Sequence, residues 1–222
     1  MAEHIVKIIE AQYINPTVKR FVVQKPAGYT FNPGQATDVS INLPEWKDRK
    51  RKFTFTSLNK WEHLEFVIRI HKQHDGVTEM LGKLNAGTEL IINEPYGVID
   101  YKGPGVFIAG GTGITPFIAI FRELHKNKQI GSNKLIVSER TSYDLILDSE
   151  LQTMLGNNYI KTFTRENVIG FIDKHINEDF LFKNISDFGQ RFYVCGPESF
   201  VTNICKMLID LGAKPDSLVI DK

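Results

Sequence analysis

The sequence predicts two successive domains, an antiparallel β-barrel followed by an α/β domain with a parallel sheet. Before about residue 103, apolar and polar residues alternate in short segments. After it, continuous apolar runs are separated by helical patterns. A chain of 222 residues is long enough for two cores, since one domain takes about 100–200 residues. We therefore expect domains at residues 1–102 and 103–222, with the boundary at about 101–104.

Short segments of β-branched and aromatic residues fill the first hundred positions. Turn residues such as Asn32-Pro33-Gly34 separate them. Short strands at this spacing are typical of an antiparallel barrel or a sandwich. We expect one short helix at about 78–84 and strands at 5–9, 18–23, 37–41, 53–56, 64–70 and 89–92.

Continuous apolar runs characterise the second half. They alternate with helical patterns, which are clearest at 116–126 and 198–211. Runs without alternation are typical of parallel strands buried on both faces, and the helices between them are typical of βαβ crossovers. We expect strands at 106–109, 135–137, 192–194 and 218–220.

Composition excludes several classes of protein. There are 27 basic and 26 acidic residues, a net charge of +1, with 42% hydrophobic residues. This balance argues against disorder and against nucleic-acid binding. No apolar run approaches the ~18–20 residues that span a bilayer, and the first residues lack the order of a secretory signal. We therefore expect no membrane association and a cytoplasmic location.

The strongest local signal is a glycine-rich turn after the strand at 106–109. Gly110, Gly111 and Gly113 fall within four positions, and Thr115 is expected to cap a helix that begins at Pro116. Glycines let a phosphate approach the backbone, and a helix N-terminus offers free N–H groups. We interpret the turn as a phosphate site; the alternative is a tight turn that needs glycine only for geometry.

A second turn, Cys195-Gly196-Pro197, follows the strand at 192–194, and Pro197 is expected at the first position of the next helix. Open parallel sheets bind ligands at the carboxyl ends of their strands, where Cys195 is expected. A buried structural thiol is an equally good interpretation of Cys195. Cys205 is expected in a helix core, and two cysteines make neither a disulfide framework nor a metal or iron–sulfur site.

A third signal is the basic stretch 47–52, which leads into Phe53-Thr54-Phe55-Thr56. An arginine followed by aromatic and hydroxyl residues could bind a phosphate beside a flat ligand, although a charge run is usually a solvated loop. His71 and His74 are spaced like metal ligands, but with no third ligand nearby we predict no metal site.

Four motifs together resemble the ferredoxin–NADP reductase family, and most closely its compact bacterial flavodoxin and ferredoxin reductases. The resemblance covers essentially the whole chain in order. It is carried by Arg51-Lys52-Phe53-Thr54, by Gly76-Val77-Thr78, by Gly111-Thr112-Gly113-Ile114-Thr115-Pro116 and by Cys195-Gly196-Pro197.

The resemblance implies a six-stranded antiparallel barrel that binds FAD and a five-stranded parallel sheet that binds NAD(P). Hydride would pass from the nicotinamide to the flavin at the cleft between them. Arg51 would bind the FAD pyrophosphate, Phe53 would pack on the flavin, and Thr54 would hydrogen-bond near flavin N5. Further residues implied to bind cofactors are Ile68, Arg69 and Ile70 beside the flavin, Gly76, Val77 and Thr78 at its phosphates, Gly111, Thr112, Gly113, Thr115 and Pro116 at the nicotinamide nucleotide, and Cys195, Gly196 and Pro197 beside its ring.

The sequence departs from the family pattern at two places. Phe53 replaces the usual tyrosine, and the chain ends at Asp221-Lys222 without a terminal aromatic residue. Asp221 could supply the family's catalytic carboxylate beside Thr54 and Cys195, or be a solvated terminus. Arg165 and Arg140 favour NADPH, because arginine pairs well with a 2′-phosphate. Glu139, beside Arg140, argues against this and leaves NADH possible.

The implied reaction needs a separate electron acceptor. Lys47, Arg49, Lys50 and Lys52 could steer an acidic flavodoxin or ferredoxin to the flavin, and we expect a monomer. The alternatives are a reductase component of an oxygenase, a ferric or free-flavin reductase, and a non-catalytic regulatory subunit that binds flavin and nucleotide.

Overall fold

A computed structural model describes residues 2–71, 75–97, 99–166 and 175–220. Two sheets follow each other along the chain. The first has six antiparallel strands and the second has five parallel strands. The fold class expected from the sequence is therefore confirmed.

The first sheet is a nearly closed barrel with the strand order β4-β3-β6-β1-β2-β5. Its end strands meet where the Thr56 N–H donates to the Glu65 carbonyl at 2.9 Å. One short helix, α1, covers it. The elements are β1 (Glu3–Asn15), β2 (Val18–Gln24), β3 (Ala36–Ile41), β4 (Arg51–Thr54), β5 (His63–Arg69), α1 (Val77–Lys83) and β6 (Glu89–Asn93).

The second sheet has the strand order β11-β10-β7-β8-β9, with helices on both faces. Its elements are β7 (Gly105–Gly110), α2 (Thr115–Lys126), β8 (Lys134–Glu139), α3 (Asp148–Leu155), β9 (Tyr159–Phe163), α4 (Glu178–Asn184), β10 (Arg191–Cys195), α5 (Glu198–Asp210) and β11 (Leu218–Ile220). We did not predict α3, β9 and α4 individually, because their apolar patterns are short and mixed with polar residues.

Strands β7 and β10 send alternate side chains to opposite faces of the second sheet. Phe107 and Tyr193 are fully buried on the face of α2, where their rings stack at 4.1 Å between centroids. Val106 and Phe192 pack on the other face, with α5. Burial on both faces explains why these strands read as continuous apolar runs.

The barrel meets the second sheet along β5, whose side chains alternate between the two. Phe66 and Ile68 pack inside the barrel. Val67 packs into the core beneath α2, together with Val18 of β2. The barrel and the α/β region therefore contribute side chains to the same apolar core. The first sheet ends at Asn93 and the second begins at Gly105, and a domain boundary at about 101–104 stays a proposal.

Among the residues described, no helix combines the length and the hydropathy needed to cross a membrane.

Candidate functional site

A crevice of about 470 Å³ lies between the barrel and the parallel sheet. This volume is within the usual range for a small-molecule site, about 300–1,000 Å³. Thr54 and Cys195, predicted from separate halves of the chain, both line it. The barrel contributes Lys52, Phe53, Thr54, Val67, Ile68, Arg69, His71 and Thr78, and the α/β region contributes Gly110, Gly111, Thr112, Gly113, Thr115, Pro116, Cys195, Gly196 and Pro197.

The barrel wall forms where β4 ends beside β5. The hydrogen bond from the Thr56 N–H to the Glu65 carbonyl holds the two segments together, and Thr54, Val67 and Ile68 line the same crevice. Phe53 and Thr54 are half-buried, and the Phe53 ring packs against the barrel core. An aromatic ring and a hydroxyl are thus held side by side on a rigid strand, which suits binding of a flat polar ligand.

The opposite wall is built from the turns after β7 and β10, which are neighbours in the sheet. The chain order of the strands reverses at this point, and open α/β sheets bind ligands there. A Cβ atom on Gly113 would lie 2.2 Å from the Cys195 carbonyl oxygen, and one on Gly110 would lie 2.9 Å from the Phe200 ring. Gly113 is therefore needed to pack one turn against the other, and Gly110 is needed to make room for the Phe200 ring of α5.

Gly111 differs from its neighbours, because its backbone is left-handed, with φ of +56°. A Cβ atom there would lie 3.3 Å from Arg69 Nη1, across the crevice. The tight-turn interpretation thus explains Gly110 and Gly113, while Gly111 brings bare backbone towards the barrel wall. Close approach of backbone to a ligand is a usual reason for glycine.

Two details of these turns correct the sequence predictions. Thr115 does not cap α2, since its hydroxyl donates to the Thr112 carbonyl at 3.0 Å and the N-cap is Ile114. A 3₁₀ helix over Gly111–Ile114 runs directly into α2, so the Thr115 backbone is already helical. Pro197, expected at the first helical position, is instead the N-cap of α5.

Cys195 is the last residue of β10 and is 7% exposed at the crevice. Cys195 is thus both buried and part of the crevice lining, which is compatible with either interpretation. Cys205 lies on α5, packs half-buried against the apolar core, and is remote from the crevice lining. Burial raises the pKa of the Cys205 thiol.

An ion pair that the sequence analysis missed borders the crevice. Arg69 Nη2 donates to both Glu139 oxygens, at 3.2 and 3.1 Å. Burial raises the pKa of the Glu139 carboxyl, and the opposing effect of Arg69 does not cancel it. Arg69 Nε is buried without a hydrogen-bond partner. The contact arises because the ends of β5 and β8, which belong to different sheets, lie close together in the fold, and no local motif signals it.

Several residues expected at the cofactors do not line the crevice. Arg51 is exposed, and its Nη1 donates to the Lys50 carbonyl at 2.9 Å. Ile70 and Val77 are buried in the barrel core, and Gly76 is the N-cap of α1. Asp221 and His74 lie outside the described residues. Within the described part of the chain, no cluster of three metal-ligating side chains occurs.

The two arginines considered for coenzyme recognition lie at one edge of the sheet. The Arg165 N–H donates to the Arg140 carbonyl at 2.8 Å, which brings the ends of β8 and β9 together. The Arg165 side chain is exposed. Arg140 Nη2 donates to Asp144 Oδ1 at 3.0 Å, so a carboxylate already neutralises one of the two cations.

Comparison with known proteins agrees with this architecture. Residues 107–206 match the family model described as the oxidoreductase NAD-binding domain. The chain is 23% identical over 218 residues to the reductase component of propane 2-monooxygenase from Rhodococcus jostii, covering 91% of this chain and 58% of that protein. It is 27% identical over 229 residues to NADH-cytochrome b5 reductase 1 from Kluyveromyces lactis, covering 94% and 80%. The chain thus spans little more than half of the first of these relatives.

A solved structure shares the fold over both domains. The ferredoxin NADP+ reductase from Neisseria gonorrhoeae, determined with bound FAD and NADP, superposes with a TM-score of 0.84 at 17% identity, covering 99% of this chain and 98% of that one. At this identity the likeness concerns the fold. The chain therefore shares the two-domain fold of this reductase, and its residues 107–206 match the model of the oxidoreductase NAD-binding domain.

Proposed function

We propose that this protein is an FAD-dependent NAD(P)H oxidoreductase that passes electrons on singly to a separate acceptor. The observation that supports this most strongly is the shared crevice, where Thr54 of the barrel and Cys195 of the parallel sheet line the same space. Two ligand rings held by the two walls would face each other there. Proximity of this kind supplies much of the acceleration in a reaction between two bound groups.

The residues of the crevice fit the two dinucleotides that the fold implies. Arg69 Nε is buried at the crevice and lacks an acceptor, as expected of a cation that meets an anionic ligand. The left-handed Gly111 leaves backbone uncovered, and Phe53 offers an aromatic surface. When bound, the nicotinamide supplies a hydride and the flavin accepts it.

The protein's own contribution is binding and orientation. Thr54 offers a hydroxyl at the barrel wall, and Phe53 packs beside it. Thr112 and Gly113 form the opposite wall, with Cys195 closing it from the neighbouring strand. Arg51 would reach the FAD phosphates from its exposed position. Thr78, which lines the crevice, would bind the phosphates together with Arg51. A role for Asp221 remains part of the proposal.

We favour NADPH as the coenzyme, with NADH possible. The exposed Arg165 is available to pair with a 2′-phosphate. The pairing of Arg140 with Asp144 weakens the argument for a second cation, and the relative from Kluyveromyces lactis is an NADH-cytochrome b5 reductase. The ratio of kcat/KM for NADPH to kcat/KM for NADH, measured with wild type and Arg165→Ala, decides the point. An unchanged ratio would contradict a role for Arg165.

For the acceptor we propose an acidic flavodoxin or ferredoxin, met by a monomer of this protein in the cytoplasm. Lys52 lines the crevice, and the neighbouring Lys47, Arg49 and Lys50 are partly or fully exposed. A basic surface beside the flavin would steer an acidic partner. An oxygenase partner is the second candidate, because the Rhodococcus relative is the reductase component of a monooxygenase.

One anaerobic titration tests the reaction. The purified protein, loaded with FAD, should be yellow and should lose its visible absorbance on addition of NADPH or NADH. Colourless protein that takes up no FAD, or flavin that neither coenzyme reduces, would contradict the proposal and favour a regulatory role. Turnover with a flavodoxin or ferredoxin should fall as salt rises, whereas ferricyanide reduction should change little.

A further inference from the structure

Five side chains of alternating charge form a continuous chain from the barrel into the second domain. Glu10 pairs with Arg20 at 2.8 Å, Arg20 with Glu65 at 2.6 Å, Glu65 with Arg122 at 2.6 Å, and Arg122 with Glu150 at 2.6 Å. The first three residues belong to barrel strands, and the last two belong to α2 and α3. Of these four links, the one between Glu65 and Arg122 crosses from the barrel to the second domain.

The crossing link is also the most buried. The side chains of Glu65 and Arg122 are 2% and 9% exposed, whereas those of Glu10 and Glu150 at the ends of the chain are 50% and 37% exposed. Burial by itself would raise the pKa of the Glu65 carboxyl, but Arg122, Arg20 and Thr56 outweigh it and hold that pKa below its usual value. The carboxylate stays charged and fixed.

Arg122 holds the barrel strands by three contacts. Its Nη1 donates to Glu65 Oε1 and, at 2.7 Å, to the Thr56 carbonyl. Its guanidinium lies 5.1 Å from the Trp61 ring of the loop between β4 and β5. Thr56 in turn donates its hydroxyl to Glu65 Oε1 at 2.8 Å. One side chain of α2 therefore contacts both β5 and the loop that joins β4 to β5.

Each residue in these contacts is joined by a short stretch of its own segment to a residue that lines the crevice. Thr56 is two residues from Thr54, and Glu65 is four residues from Arg69, about 13 Å along a strand. Arg122 is seven residues, or about 10 Å, from Thr115 at the start of α2. Thr54, Arg69 and Thr115 all line the crevice. A tilt of α2 against β4 and β5 would therefore change the spacing between the two walls.

We propose that Glu65 and Arg122 are positioning residues that hold the two walls of the crevice in register for transfer between the bound rings. This rests on the proposed function for the meaning of the register, while the register itself can be measured without any cofactor. A misplacement of about 1 Å can slow a reaction between bound groups on the order of a hundredfold.

The test removes both charges together in the double variant Glu65→Gln, Arg122→Gln. Replacing both members of the pair leaves no deeply buried charge unpaired, because Arg20 keeps its contact with Glu10 and the Glu150 side chain is 37% exposed. The protein should therefore remain folded. We expect the rate of flavin reduction at saturating coenzyme to fall by about ten- to a hundredfold. The Kd for FAD and the KM for the coenzyme should change by no more than about threefold, since neither residue lines the crevice.

A second measurement reports the register directly. Spin labels on the exposed positions Lys7→Cys and Lys206→Cys, in a Cys205→Ser background, give a distance between β1 and α5. The protein without the two introduced cysteines should take up no label, because Cys195 is buried. We expect one narrow distance distribution in the otherwise native protein and a broader one in the double variant.

Glu150→Gln is the matched control, because it removes a partner of Arg122 within the second domain and leaves the crossing link intact. It should keep both the narrow distance and a reduction rate within about twofold of wild type. If the double variant does not fold, Arg122→Lys takes its place with a smaller loss expected, since lysine keeps the charge but not the fork of donors.

Each outcome of these measurements either supports or overturns the proposal. A double variant with native distances, or one with broadened distances and an unchanged reduction rate, overturns the proposal. If neither coenzyme reduces the flavin of the wild-type protein, the proposed function fails, and the distance measurement alone shows whether the pair holds the domains.

Discussion

Two ion pairs connect the barrel to the second domain along one strand, and they have opposite polarity. At Glu65 the barrel supplies the carboxylate to Arg122, and at Arg69 it supplies the guanidinium to Glu139. The pKa of Glu65 is lowered, whereas that of Glu139 is raised, although both carboxylates are almost fully buried. Two arginines and a hydroxyl meet Glu65, whereas Arg69 and the smaller effect of Arg140 do not offset the burial of Glu139. A buried carboxyl therefore keeps a lowered pKa only where enough hydrogen-bond donors and positive charges surround it.

Loss of one partner from the pair of Glu65 and Arg122 should lower the stability of the protein most. Arg122→Met leaves the Glu65 carboxylate buried with one arginine fewer, and breaking a buried pair costs about 3–5 kcal/mol. Urea unfolding of the FAD-free protein at pH 7 measures this loss. A cost below about 1 kcal/mol would mean that water reaches Glu65 once Arg122 is gone.

Loss of one partner from the pair of Arg69 and Glu139 should lower the stability of the protein less. In Arg69→Met the Glu139 carboxyl can take up a proton, since burial already raises its pKa, so we expect a loss of about 1–2 kcal/mol. The same urea titration measures it, with Arg122→Met run alongside. An equal or larger loss for Arg69→Met would contradict the ranking of the two contacts.

The contributions of Glu65 and Glu139 to stability should change with pH in opposite directions. The folded pKa of Glu65 lies below its unfolded value near 4.5, so its contribution to stability is complete above pH 4.5 and is lost as the pH falls below it. Glu139 has a folded pKa above 4.5, so its contribution is complete below that value and is lost as the pH rises through the folded pKa.

Unfolding midpoints of wild type, Glu65→Gln and Glu139→Gln, measured from about pH 3.5 to 7, test these signs. The advantage of wild type over Glu65→Gln should shrink on acidification. Its advantage over Glu139→Gln should shrink as the pH rises above 4.5. Parallel curves for all three proteins would show that neither carboxyl titrates as proposed.

The smallest effect is expected at the exposed end of the charge chain. Glu10→Gln removes a surface partner of Arg20 whose side chain is half exposed, and such pairs contribute about 0.5 kcal/mol. The loss should disappear in 1 M salt, which screens exposed charges. A loss that persists in salt would show that Glu10 matters to the buried part of the chain.

The sequence carries the fold but not the contacts between its two parts. Periodicity distinguished the barrel strands from the parallel strands because burial on one face or two leaves different patterns. The turns at Gly111 and Cys195 were found because glycine, proline and cysteine mark local geometry. Glu65 and Arg122 were missed, since they are 57 residues apart and nothing local to either signals the other.

The close packing of Gly113 against the carbonyl of Cys195 has a practical consequence for engineering. No side chain can be added at Gly113 without separating the two turns. Under the proposed function, coenzyme preference is therefore better altered at the ends of β8 and β9, where the Arg165 side chain is exposed.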